Sequence, residues 1–369
     1  MKRAIPFTIV VGFLLCFAIA FVISRVHRRM QNQRRALNPV NLTVFTSLDP
    51  IDAHTHISQT SPAFTEMLER LHLHVLDILY VDDRDPFHTS LERQKEDARK
   101  FLASSADRAQ LCTTFDPFPF RDANFSKTAV QGLNEDFEGG AIAAKVWKNV
   151  GMEIMSGKQY LMPDDPLFQP IYRDIAEQNK TLITHSAGPD IAWTSRASSI
   201  GYYAENPQWD MFTKPDAPEK KTIIQARDHL LAMNPGLRVI GAHFGSMEDH
   251  LDDLALRLDL YPNFAVDTAA RVRILARQPR EKARAFMIKY QDRILYGTDL
   301  HYYAGTTGTA AAQSWQAQYA DEWRYFSSGD TFEYDGLKVE GLNLPLSVLH
   351  KLYHDNAVKW IPGIIKIQH

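Results

Sequence analysis

The chain has 369 residues, 45% of them hydrophobic and 23% charged, the composition of an ordinary globular protein. A net charge of −3 provides no basic field, so nucleic acid is not an expected partner. Two cysteines, Cys16 and Cys112, exclude a disulfide framework and a thiolate metal site.

The first element is an apolar run from Ala4 to Ile23 behind Lys2 and Arg3. At about 20 residues it is long enough to span a bilayer as a helix. Ala18-Ile19-Ala20 matches a signal-peptidase pattern, but the apolar run continues past it, which favours an uncleaved anchor. Residues 1–29 are therefore expected to form a signal anchor, residues 30–47 a polar linker and residues 48–362 the catalytic body, held at a membrane. Arginines after the run favour a cytoplasmic body, whereas the sequons at Asn41 and Asn124 favour the other side; the side stays open.

The body then alternates strand and helix. Strands are expected at 51–57, 74–81, 110–115, 141–148, 181–186, 238–244, 263–268 and 294–299. Helices are expected between them, among them 90–106, 127–138, one capped by Asp164 and Asp165, 248–261 and 280–293. Eight such units in a body of roughly 320 residues match an α/β (β/α)8 barrel, whose active site gathers at the C-terminal strand ends. Polar residues stand at those ends: His54 and His56 in Asp52-Ala53-His54-Thr55-His56, Lys145, His185, His243, Asp267 and Asp299. Alternation places His54 and His56 on one side. The inward rows are read as Ala141, Ala143 and Lys145; as Val239, Gly241 and His243; and as Leu295, Gly297 and Asp299. Any one of these histidines alone would be an ordinary hydrogen-bonded core residue. Their shared position at strand ends points to a metal site.

Two connections are long. Residues 186–219 carry Trp193, Arg196, Tyr202, Tyr203 and Trp209, and residues 300–345 carry Tyr302, Tyr303, Trp315, Trp323 and a hairpin at 331–339. Long aromatic loops on the mouth side are expected to cover the site and shape the pocket; a homo-oligomer interface would show the same enrichment. Arg196, Arg271 and Trp193 are candidate contacts for a small anionic substrate.

The chain resembles the amidohydrolase superfamily, most specifically in Ile51-Asp52-Ala53-His54-Thr55-His56, Gly241-Ala242-His243-Phe244-Gly245 and Tyr296-Gly297-Thr298-Asp299-Leu300. The resemblance implies one divalent metal held by His54, His56, His185 and Asp299, with His243 beside it as acid/base. Zinc suits these ligands, as do Mn and Fe(II). In binuclear members a lysine at the position of Lys145 is carboxylated and bridges a second metal; a plain ammonium binding substrate is the other role for Lys145. The expected function is hydrolysis of an amide, lactone or ester. The alternatives are metal-dependent decarboxylation of an aromatic acid and a membrane-tethered binding protein without turnover.

Overall fold

The computed structural model describes residues 40–82 and 90–366. Nine parallel strands form one sheet. They are β1 (Ile51–Ile57), β2 (His74–Ile78), β3 (Ala109–Thr114), β4 (Ala143–Val146), β5 (Thr181–Thr184), β6 (Arg238–Gly241), β7 (Phe264–Asp267), β8 (Ile294–Leu295) and β9 (Leu300–Tyr302). Neighbours run β8-β7-β6-β5-β4-β3-β2-β1-β9. The eighth strand of the expected barrel is thus broken into β8, paired with β7, and β9, paired with β1. Between them the chain stays bonded to β1 through Ala53 N–H to Tyr296 O (2.9 Å) and Asp299 N–H to His54 O (2.8 Å). The sheet curls round until its two ends meet along one segment, consistent with a (β/α)8 barrel.

The interior explains the alternation. Ile51, Ala53, Leu76, Ile78, Cys112, Ala143, Ile183, Ile240, Ala265 and Leu295 form one buried cluster. Trp360, Ile361 and Ile364 from the C-terminal segment pack into the same cluster. The inward row of β4 holds for Ala143 and Lys145, but Ile142 packs into the interior cluster where Ala141 was expected. That of β6 does not hold: Ile240 and Ala242 are inside, whereas Gly241 abuts Phe264 on the outer face. His243 would point away from the interior if β6 continued. Instead β6 stops, and His243, Phe244, Gly245 and Ser246 take left-handed φ of 60°, 53°, 62° and 61°. A register shift between Asp52 and Thr55 does the equivalent for β1, where Ala53 packs inside and the next residue, His54, still reaches the mouth.

Three further expectations change. Residues 43–47, placed in the linker, are helical, and Phe45 packs on Tyr319, Trp323 and Tyr353. The connection 300–345 is no simple loop: it holds a helix at Gly308–Ser327, capped by Thr307, whose Trp315 and Trp323 are core. Membrane localisation is not upheld. No helix among the described residues is long and apolar enough to cross a membrane, and the apolar run at 4–23 lies outside them.

Asp77 in β2 is fully enclosed; its Oδ1 accepts Ile57 N–H and its Oδ2 has no partner. Burial pushes its carboxyl up to about 8, against the donor Ile57. A pKa raised on folding stabilises fully below the unfolded value and loses that contribution as pH rises through the folded one. Asp77→Asn, which mimics the protonated acid, should match wild type near pH 4 and gain relative stability steadily towards pH 8. Denaturant midpoints across that range measure the effect, and a constant difference would show that Asp77 is not the source.

Candidate metal centre

Three of the strand-end histidines are held through their far side. His54 Nδ1 donates to Asp267 Oδ2 (2.8 Å), His56 Nδ1 to Ile78 O (2.6 Å) and His243 Nδ1 to Ala269 O (2.8 Å). These acceptors fix the tautomers, so each Nε2 lone pair faces the centre, where that of His54 accepts from Lys145 Nζ. Asp299 Oδ1 lies 3.5 Å from His54 Nε2 and 3.3 Å from His56 Nε2. Ligating atoms of His54, His243 and Asp299 all fall within 4.8 Å of one another, as do those of His56, Asp299 and His301.

The electrostatics agree with this packing. Burial holds the imidazoles of His54, His56, His185 and His243 well below their ordinary range, which keeps them neutral. Asp299 is pushed up by burial, and His243, His56 and His54 pull it well below the usual carboxylate range, a pull those rings exert only in their protonated forms. Neutral nitrogens and an ionised carboxylate are the protonation states a divalent cation requires.

His185 offers an independent test of fit. Its ring lies 4.2 Å from that of His243, and its Nε2 is buried with no hydrogen-bond partner. An orphaned buried polar atom costs about 1–3 kcal/mol unless something arrives to use it. The donor set of imidazoles and one carboxylate suits a divalent transition metal, so the residues present fit the group.

Lys145 sits at the floor with its Nζ donating to His54 Nε2 (3.2 Å), and burial lowers its pKa, opposed by Asp299. Arg271 reaches the rim: its Nε donates to Glu248 Oε1 (2.8 Å), and after burial its charge is the foremost cause of the lowered His243 pKa. The other two substrate candidates are not brought to this cluster. Trp193 donates Nε1–H to Pro218 O and lines a cleft with Asp190, Lys220 and His250. Arg196 is exposed, and Ser199 is bonded to its carbonyl. Both follow from the 186–219 segment folding into short helical turns that carry these side chains away from the strand ends.

Sequence reasoning missed His301. Its Nε2 is 3.9 Å from Asp299 Oδ1 and its ring 4.8 Å from that of His56. The signal was present: Asp299-x-His301 repeats the i, i+2 spacing of His54-x-His56. It went unread because the strand was expected to end at Asp299. The role expected of Asp267 was vague, whereas the structure gives it a definite one beneath His54.

The sequence matches the Amidohydrolase family over residues 51–362. The chain belongs to that family. Its members are metal-dependent enzymes. Among solved structures it is similar to an uncharacterised TIM-barrel protein from Bordetella bronchiseptica, at 13% identity over 85% of this chain and 99% of that one, with a TM-score of 0.52. Similarity extends to dihydroorotase from Campylobacter jejuni (12% identity, 87% and 84% covered, TM-score 0.46). It extends also to 5-carboxyvanillate decarboxylase from Sphingomonas paucimobilis (12% identity, 87% and 100% covered, TM-score 0.45). At such identities the likeness concerns the fold alone. No curated protein matches the sequence.

Because Asp267 orients His54 from behind, Asp267→Asn should weaken metal binding roughly 10–100-fold, the usual effect of losing such a partner. Competition titration against a chelating dye measures it. An unchanged affinity would mean that His54 is not a ligand.

Proposed function

We propose that this chain is a metal-dependent hydrolase acting on an amide, lactone or ester of a small anionic substrate. The supporting observation is that ligating atoms of His54, His243 and Asp299, and likewise of His56, Asp299 and His301, lie within 4.8 Å of one another. His54, His56, His185 and Asp299 would hold one divalent cation, with zinc the best suited and Mn or Fe(II) compatible. When bound, such a cation supplies Lewis acidity towards a carbonyl and lowers the pKa of water.

The chain's own residues do the rest. Asp299 can accept a proton from the attacking water. His243 donates Nδ1–H to Ala269 O, so its Nε2 carries a lone pair and serves as a proton acceptor, not as a donor to an oxyanion. Stabilising charge on the attacked oxygen therefore falls to Lys145, the cation at the floor. Arg271 at the rim would hold the substrate's anionic group.

That same rim cation favours a second reading, decarboxylation of an aromatic acid, which needs a carboxylate clamp and no attacking water. Products separate the two: label from isotopic water enters the product acid only in hydrolysis, and carbon dioxide is released only in decarboxylation.

The test is a panel of lactones, amides, esters and aromatic acids, run on metal-loaded protein, on chelator-stripped protein and after metal is restored. Activity should vanish and return. His243→Ala should keep its metal while turnover falls roughly 10²–10⁴-fold, the range for a lost proton-transfer group. Loss of metal in that variant would instead make His243 a ligand, and two metals per wild-type chain would replace the single-metal reading with the Lys145-bridged one.

A further inference from the structure

Three residues beyond Lys145, the chain buries a second amine. Lys148 is 5% exposed and follows directly from the C-terminal end of β4. Its Nζ lies 4.2 Å from the centre of the Trp209 ring, 5.2 Å from that of Tyr202 and 5.3 Å from that of Trp147. One N–H is spent on Tyr202 Oη, at 2.7 Å. An ammonium carries three donors, and among the described residues no carboxylate lies within ion-pair distance of this one. Ring faces attract a cation by about 0.5–2 kcal/mol, which does not replace the hydration it has lost. The fold thus keeps an amine, its pKa lowered by burial to about 7, in a box whose walls are aromatic, and among the described residues no carboxylate pairs with it.

Its surroundings connect it to the metal centre. The Tyr80 ring lies 5.0 Å from that of His56 and 4.9 Å from that of Trp147, which in turn lies 5.0 Å from Trp209. A chain of edge-on and tilted ring contacts therefore leads from a candidate ligand to the amine. Arg271, at the rim, is the foremost charged group acting against Lys148, while the opposing carboxylates are Asp299 and Asp82. Asp299 belongs to the centre. An anion bound at the amine would offset the Arg271 charge that acts against it.

We propose that Lys148, boxed by Trp147, Tyr202 and Trp209, is the seat for the carboxylate of a planar, ring-bearing substrate, whose ring lies along the Tyr80–Trp147 wall. This deepens the hydrolase reading and rests on it for the position of the reacting group. Lys148 is here a binding and specificity residue. Charge-assisted hydrogen bonds set the carboxylate, and ring stacking selects flat molecules over puckered ones.

The probes are benzoate, cyclohexanecarboxylate and benzamide, titrated calorimetrically into metal-loaded protein. Benzoate keeps both charge and flat ring, and each of the others lacks one. Benzoate should bind tightest. Lys148→Met fills the same box with an apolar chain and should weaken benzoate roughly 10–100-fold, to the level of benzamide. Metal content and thermal midpoint should stay at wild-type values. Should that variant fail to fold, wild type gives the answer by mass spectrometry, because benzoate should protect Lys148 from acetylation by acetic anhydride and benzamide should not. Equal binding of benzoate and benzamide by wild type, benzoate binding unaltered in Lys148→Met, or absence of protection would each overturn the proposal. A wild-type protein holding no stoichiometric metal would instead overturn the hydrolase reading, and that result precedes any addition of anion.

Discussion

One carboxylate organises the centre. Asp267, at the end of β7, accepts His54 Nδ1–H on Oδ2 and the His243 backbone N–H on Oδ1, at 2.8 and 2.7 Å. The same Oδ1 takes Ala269 N–H, which starts the turn whose carbonyl binds His243 Nδ1. A single buried group, 1% exposed, thus ties β1, the segment after β6 and the turn after β7 to one position. Burial raises its pKa, and the donors oppose that. The bonds hold because no water competes for them.

Asp52 does the complementary work on the other side. It accepts Thr298 N–H and Oγ1–H, Tyr319 O–H and His54 N–H, so it joins β1 to the break in the last strand and to the helix at 308–327. Asp299 follows Thr298 directly and has a left-handed φ of 62°. His243, Phe244, Ser246 and Ala270 share that region of φ. Each such residue costs about 1–2 kcal/mol relative to ordinary backbone, and all of them lie beside the ligands. Asp52 and Asp267 are what oppose this strain. The interior cluster of β-branched and small residues lower in the barrel supplies the stability that lets the rim be irregular.

The strand–helix rhythm was legible because burial imposes period two on strands and 3.6 on helices, and β1, β3, β5 and β7 fall within a few residues of expectation. The candidate ligands were legible as polar residues gathered at strand ends, since strand-end histidines in number are rarely accidental. What could not be read was how the chain departs from strands at the rim. Periodicity assigns His243 the face of Gly241, yet Gly241 faces outward and a left-handed turn brings His243 in. A turn of that kind at non-glycine residues has no sequence signal. The helix at 308–327 was readable and unread: Ala311, Trp315, Tyr319, Trp323 and Phe326 recur at helical spacing, and Thr307 caps them. Their aromatic character suggested a pocket lining, although that spacing is what a buried helix face requires.

The charges of the mouth have a direction. Lys145 is at the floor, Lys148 along the aromatic wall and Arg271 at the rim, whereas Asp299 is the carboxylate among the candidate ligands and is bound up with histidines. Glu248 answers Arg271 through one oxygen, and its other oxygen is buried without a partner. Were this only a fold-stabilising arrangement, hydrophobic replacements for the buried amines would serve as well or better. Retaining Lys145 and Lys148 so close in sequence, on the loop side of one strand, makes physical sense if negative charge is brought in from outside. The candidate metal centre with Lys145 would then act on one end of a small molecule and Lys148 on the other, and the spacing between them becomes the measure of what fits.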